Sequence, residues 1–196
     1  MPRLLPPAIP PGSIGASAQP EVEVDGGVLL RPWIDDDADA AVAAFTDPDI
    51  QRWHFRRLDS VDEAHAWIAG HRAGWEAETS ANWAIVAPGS VRPVGRIALT
   101  TLDLPGARGE VSYWLIAAAR GQGLVTRSLL ALTTWSFGEL GLERIELKHS
   151  VDNPASCRVA ERAGFAAEGT MRRALFHDDG WHDMHLHARL RVDLTV

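Results

Sequence analysis

Seven residues near the middle of the chain have the makings of a phosphate cradle: Arg120, Gly121, Gln122, Gly123, Leu124, Val125 and Thr126. A strand-like stretch, Gly109 to Ile116, precedes them. A helical pattern from about Gln122 to Leu140 follows, with Leu124, Leu129, Leu132, Phe137 and Leu140 on its apolar side. Glycines let a backbone approach a ligand closely. The first turn of a helix offers unpaired amide donors at the positive end of its dipole. Together these make an anion site. Taken alone, such a loop is equally well a plain strand-to-helix turn. Two other phosphate loops are excluded. There is no G-x-x-x-x-G-K-S/T run, and no G-x-G-x-x-G followed some twenty residues on by an acidic side chain.

The other reactive side chains are sparse. Cys157 is the only cysteine, which excludes an intrachain disulfide. It has no evident partner in sequence and reads as packing. His177, His182, His185 and His187 gather near the C-terminus, and His185 and His187 share one face if that segment is a strand. Two fixed histidines fall short of a metal shell, and no separate Cys/Asp set accompanies them. No metal is expected. A metal-dependent hydrolase built on these histidines is the weakest of the functional readings.

The formal net charge of −7 argues against a nucleic-acid partner. Lys148 is the only lysine. The eight tryptophans run from Trp33 to Trp181 without a repeat. They suit packing, or a partly aromatic ligand pocket. No apolar run approaches the roughly 20 residues of a spanning helix, and the N-terminus lacks the apolar core of a signal peptide. A cytoplasmic protein with no membrane partner is expected.

The elements that must position these residues can be placed coarsely. Residues 1–20 are rich in Pro, Ala and Ser and suggest a disordered or loosely attached arm. Residues 21–196 read as a single domain. Val22 to Trp33 is strand, with a turn at Gly26-Gly27 that can split it. A helix begins at Asp35–Asp39 and runs to Phe45, where Asp47-Pro48 breaks it. Residues 49–60 are irregular. Ser60 with Glu63 has capping-box spacing and opens a helix over about 61–78. Ala81–Ala87 and Pro93–Leu102 form a hairpin around Pro88-Gly89-Ser90. Glu143–His149 is a strand. Asn153-Pro154 starts a helix that ends at Gly164. Phe165–Phe176 and Trp181–Val192 close the chain as an antiparallel pair. The fold class is α+β with one central mixed sheet.

The order of motifs adds more. Arg120-x-x-Gly123 follows the strand Glu110-Val111-Ser112-Tyr113-Trp114-Leu115. Asn153-Pro154-Ala155-Ser156 comes some thirty residues later, then Ala160-Glu161-Arg162-Ala163-Gly164-Phe165, then Glu168-Gly169. Over about residues 25–193 this resembles the GNAT superfamily of N-acetyltransferases, and most of all its RimJ/RimL-like branch. Members of that branch modify ribosomal-protein N-termini and, in relatives, other amines. The resemblance implies a mostly antiparallel sheet flanked by helices, with acetyl-CoA or another acyl-CoA as co-substrate and no metal. It implies direct attack by a primary amine within a ternary complex. A homodimer is an assembly common in the branch. The family pattern Arg/Gln-x-x-Gly-x-Gly/Ala meets a valine here, Val125, whose side chain would crowd the loop if it touched the pyrophosphate.

Site roles follow from the resemblance. The glycine loop, 120–126, would hold the pyrophosphate. A backbone amide of Trp114, Leu115 or Ile116 would polarise the thioester carbonyl. Asn153 matches a residue that contacts the pantetheine arm, and it also suits plain helix capping. Ser156 would meet the coenzyme's sulfur, or else bond only local backbone. Glu110 is the candidate general base, with a surface glutamate or a water relay as the other readings. The family often has a tyrosine near the position of His187. The acceptor, an amine-bearing peptide or small molecule, should lie between residues 49–60, the helix after them and the last strand pair. That makes Trp53, His54, Arg56 and Arg57 its candidate contacts. If the two arginines face it, an acceptor with a carboxylate or phosphate near its amine is favoured, or a donor with an acidic acyl tail such as succinyl-CoA. The competing class is a non-catalytic acyl-CoA-binding sensor or scaffold.

Overall fold

The computed structural model describes residues 5–54 and 56–194. The split strand of the sequence reading is a hairpin, β1 (Val22–Val24) and β2 (Val28–Pro32), turned by Gly26 and Gly27, both at positive φ. A short 3-10 turn over Asp35–Asp37 leads into α1 (Ala38–Ala44). Asp47-Pro48 then starts a helix as well as ending one. Asp47 Oδ1 caps the amide of Asp49, and Pro48 occupies the first turn of α2 (Pro48–Trp53). The expected irregular segment is therefore helical up to Trp53.

The helix α3 (Val61–Glu76) begins at the Ser60 cap, whose hydroxyl accepts from Glu63 N. Then come β3 (Ala81–Val86), β4 (Pro93–Asp103), β5 (Arg108–Leu115), α4 (Leu124–Gly138), β6 (Arg144–Ser150), α5 (Pro154–Arg162), β7 (Ala166–His177) and β8 (Gly180–Leu190). The last strand stops two residues short of the expected end, where Arg191–Leu194 turns into a 3-10 helix.

One sheet runs in the order β1-β2-β3-β4-β5-β6-β8-β7. Every pairing among the described residues is antiparallel except β5 with β6. Apolar side chains cover both faces. Leu129, Leu132 and Phe137 of α4 pack with Leu30, Ile85, Ile97 and Leu99 on one. Ala41, Phe45, Ile50, Ala64 and Ile68 of the first three helices pack with Ala84 and Trp114 on the other. A strand covered on both faces reads as continuously apolar, and β3 is buried along its whole length. No described helix is long and apolar enough to cross a membrane.

Residues 5–20 are attached closely, contrary to the loose arm expected from their composition. Ile9 is buried in the main core. Its amide donates to Leu104 O, and that of Ala8 to Pro105 O. Glu78 accepts from the amides of Gly12, Ile14 and Gly15. The indoles of Trp75 and Trp83 donate to Ser17 O and Pro20 O. The latch residues lie elsewhere in the chain, so arm composition alone gave no sign of them.

Candidate active site

The parallel pair β5–β6 stays in register only from Arg108↔Arg144 to Val111↔Leu147. Beyond Val111 the strands splay, while β5 stays paired with β4 as far as Leu115↔Gly95. Residues 112–115 thus keep one strand edge open toward β6. Ile116 N donates to Val94 O at 3.0 Å. Strand groups alternate in direction, so the amides of Trp114 and Ser112 also turn toward β4. Those of Tyr113 and Leu115 turn toward the gap. An open row of backbone donors can receive an extended, amide-bearing chain as an added strand would be received.

The glycine loop stands at the end of this gap. Gly121 and Gly123 sit at φ 76° and 71°, a left-handed region that side chains disfavour. Gly123 is the N-cap of α4 and supplies no capping side chain, leaving the first-turn amides for a ligand. Val125 does not intrude. It is 8% exposed and belongs to the core beneath α4. Arg120 is occupied: its guanidinium bonds Asp47 at 2.5 Å, Asp49 at 2.6 Å and Leu115 O at 3.0 Å. It pins the loop to α2 instead of offering its charge to a phosphate.

A cavity of about 750 Å³ passes through the splay. Glu110, Ser112 and Trp114 line it from the face covered by α1–α3. Tyr113, Asn153 and Ser156 line it from the α5 side. Asn153 Oδ1 caps Ser156 N at 3.1 Å. The Tyr113 hydroxyl donates to Ser156 O at 3.5 Å, and burial raises its pKa to about 12, so the phenol stays protonated.

The wall of the cavity on the α1–α3 side is cationic. Arg96 reaches in from β4, with Nε on Asn82 Oδ1 at 3.0 Å and Nη1 on Ser112 Oγ at 3.2 Å. No carboxylate among the described residues pairs with it. Burial, then the nearby Arg56, lower its pKa to about 10. His54 and His71 line the same wall. Burial and then Arg96 hold their pKa values down to about 4 and about 3, so both rings are neutral near pH 7.

Residues 28–166 match the family model for the acetyltransferase (GNAT) domain. The chain belongs to the GNAT family. It is 25% identical over 170 residues to the uncharacterized N-acetyltransferase YoaA of Bacillus subtilis (strain 168), covering 86% of this chain and 96% of that protein. It is 35% identical over 97 residues to the ribosomal-protein-serine acetyltransferase of Escherichia coli (strain K12), covering 50% of this chain and 54% of that one. Its fold is that of the ribosomal L7/L12 alpha-N-protein acetyltransferase RimL in complex with coenzyme A. There the TM-score is 0.81 at 23% identity, with 87% of this chain and 98% of the other covered. The microcin C7 self immunity acetyltransferase MccE, in complex with acetyl-CoA and AMP, superposes with a TM-score of 0.77 at 19% identity over 85% and 93%. This GNAT chain is accordingly an acetyl-CoA-dependent N-acetyltransferase.

Within this GNAT domain the residues named from sequence divide clearly. Glu110, Trp114, Asn153, Ser156, Trp53, His54 and Arg56 all line the cavity. Arg57 does not. It points away and pairs with Asp59 at 3.2 Å. Ile116 and Trp114 give up their amides to β4, which leaves Leu115 of the three expected carbonyl donors. Glu110 is ion-paired with Lys148 at 2.8 Å, and Lys148 also meets Glu146 at 3.3 Å. Sequence reasoning missed Arg96, Asn82, Ser112 and His71. Arg96 stands in the alternating run Val94-Gly95-Arg96-Ile97, which resembles a strand with a solvent-facing arginine. Only its neighbours across β3 and β5 show that the face is covered.

Proposed function

We propose that this GNAT enzyme moves an acetyl group from acetyl-CoA directly to a primary amine that carries an anionic group close by. The observation that carries this reading is Arg96, a cavity-lining cation with no acidic partner among the described residues, beside an open strand edge that leads to the glycine loop. The pyrophosphate lies on the uncapped first turn of α4. The pantetheine arm runs along the open edge of β5, and Asn153 contacts it. The thioester stands in the splay, where the Leu115 amide polarises its carbonyl.

The acceptor enters from the Trp53, His54 and Arg56 side. Its carboxylate or phosphate pairs with Arg96. The same cation disfavours a charged ammonium nearby, so it lowers the amine's pKa and helps it arrive neutral. The amine nitrogen attacks the carbonyl carbon, and the carbon–sulfur bond breaks. Glu110 takes the surplus amine proton through water, and Lys148 holds that carboxylate in place. Ser156 Oγ donates a hydrogen bond to the departing sulfur. The proton ends on the thiolate, giving the amide and free coenzyme A.

The acceptor class includes peptide N-termini with an acidic neighbour as well as small zwitterionic amines. The test is thiol release from acetyl-CoA with matched amines that differ only in an anionic substituent. A preference of about tenfold or more for the anionic member is expected, as a charged hydrogen bond is worth about 1.5–3 kcal/mol. Equal turnover of both members would sink the Arg96 reading. Succinyl-CoA serves as a second donor in the same assay. Faster turnover of it, with no preference among acceptors, would place the anion on the acyl tail. Tight coenzyme A binding without thiol release across the panel would make the protein an acyl-CoA sensor or scaffold.

A further inference from the structure

Four metal-ligating side chains from three separate elements converge beneath the α5 side of the sheet. His149 of β6 stands directly across from His185 of β8, and His187 lies two residues further along on the same face. Cys157 comes down from α5. The ligating atoms of all four lie within 4.8 Å of one another. His149 and His187 are buried, at 5% and 1% exposure.

The ring tautomers make the arrangement chemically unusual. His149 Nδ1 lies 2.8 Å from Ser150 O, and His187 Nδ1 lies 3.4 Å from Phe165 O. Carbonyl oxygens only accept, so both Nδ1 atoms carry the hydrogen. Each Nε2 is then left with a lone pair. Yet the two Nε2 atoms face each other at 3.2 Å, with Cys157 Sγ 4.0 Å from that of His187. Two lone pairs at that separation repel unless something positive sits between them. In a tetrahedral zinc site, bond lengths of about 2.0–2.1 Å to nitrogen and about 2.3 Å to sulfur put neighbouring ligand atoms about 3.3–3.6 Å apart. The two Nε2 atoms stand close to this spacing, while the Cys157–His187 pair at 4.0 Å and the limit of 4.8 Å across the four ligand atoms are longer, so the side chains draw inward when the ion binds. The Nδ1 bonds to backbone carbonyls are also the outer contacts that orient metal-bound histidines.

We propose that His149, Cys157, His185 and His187 bind one zinc-class transition metal ion through three imidazoles and a thiolate. Neutral nitrogen and soft sulfur donors favour zinc, cobalt or copper over magnesium or calcium. Glu161, whose carboxylate lies 3.7 Å from Cys157 Sγ, adds negative charge beside the dication. Four protein ligands close a tetrahedral shell, so the ion acts as a clip tying α5 to β6 and β8. The first turn of α5 carries Asn153 and Ser156, so the clip would also fix the residues that face coenzyme A. The site stands on its own geometry and does not depend on the acceptor reading above.

The experiment uses the full-length, untagged chain, stripped with a chelator and titrated with Co²⁺ and then Zn²⁺. One Co²⁺ per chain is expected, with the intense visible bands of a tetrahedral centre and a thiolate-to-metal charge-transfer band, and Zn²⁺ should displace it. A hundredfold excess of Zn²⁺ over its Kd should raise Tm by about 5–10 °C. Cys157 and His185 are only partly buried, so C157S and H185A should keep the fold, with circular dichroism as the check. C157S should abolish the charge-transfer band, and H185A should weaken binding at least about tenfold. Absence of saturable binding at micromolar Co²⁺, a weak octahedral spectrum, or unchanged binding in both variants would overturn the proposal and leave the two rings sharing a proton.

Discussion

Arg96 is the residue on which the proposed acceptor preference turns. Its guanidinium is held by Asn82 and Ser112, two neutral groups that fix its direction without cancelling its charge. Arg96→Gln keeps a hydrogen-bonding side chain and removes the cation. We expect KM for an anionic acceptor to rise by about tenfold or more, with KM for acetyl-CoA unchanged. Removing the cation should also raise the amine's pKa, so the acidic limb of the kcat/KM profile should move to higher pH. Steady-state kinetics across pH check both outcomes, and a uniform drop in kcat alone would point to a merely structural arginine. That Glu110 and Ser156 line the cavity was legible in the sequence, because their positions follow from the order of elements along the chain. Arg96 was not, because its meaning comes from residues 14 and 16 positions away.

At the scale of elements, the glycine loop and the splay of β5 from β6 form one device. The sequence showed the loop, since glycine spacing and the following helix are local features. It could not show the splay, because pairing register is a property of two strands, and β5 and β6 are joined by the whole of α4. Nor could it show where Val125 points. The valine that broke the family pattern serves the core, two residues along from Gly123, whose place at the pyrophosphate is part of the proposal. Substitutions should separate these roles. Val125→Ala should cost about 1–2 kcal/mol of stability, as loss of buried methyl groups does, while leaving the Kd for coenzyme A within about twofold. Gly123→Ala places a side chain on a residue at φ 71° and brings its Cβ to 3.2 Å from Arg127 Nη1. It should weaken coenzyme A binding by about tenfold or more at a stability cost of only ~1 kcal/mol. Calorimetric titration with chemical denaturation distinguishes the two patterns, and a matched loss of affinity in both variants would place Val125 at the ligand after all.

At the scale of the whole molecule the N-terminal arm is latched to the body, and there composition misled: proline and serine suggested looseness, while the latch belongs to the end of α3 and the residues after it. Glu78 sits at φ 58°, a strained position for a side chain with a Cβ, and its carboxylate gathers three arm amides. Glu78→Ala removes all three acceptor contacts and should lower Tm by about 5 °C, given about 2–4 °C per kcal/mol for a chain of this size. Acid should then unfasten the protein in two separate windows. His54 and His71 have folded pKa values of about 4 and about 3, below the ordinary 6.5. As pH falls below 6.5 the unfolded chain takes up protons that the native chain refuses, and stability drops until the native pKa values are reached. Arg96 strengthens that refusal at both rings, and Arg56 does so at His71. Glu78 acts lower down: the arm amides hold its pKa below 4.5, so its stabilisation is present above 4.5 and lost as pH falls through its folded value. Thermal melts from pH 7.5 to 3.5 should therefore show a decline that begins well above any carboxylate. In a His54→Gln, His71→Gln double variant the segment between about pH 6.5 and 5 should become shallower, because two of the histidines that burial holds below 6.5 in the native chain are gone, while His149 and His177, also lowered by burial, keep part of the fall. The Glu78→Ala variant should keep that upper segment and lose only part of the fall below 4.5. An upper segment unchanged in the histidine variant would mean that these two rings are protonated as readily in the cavity as in water.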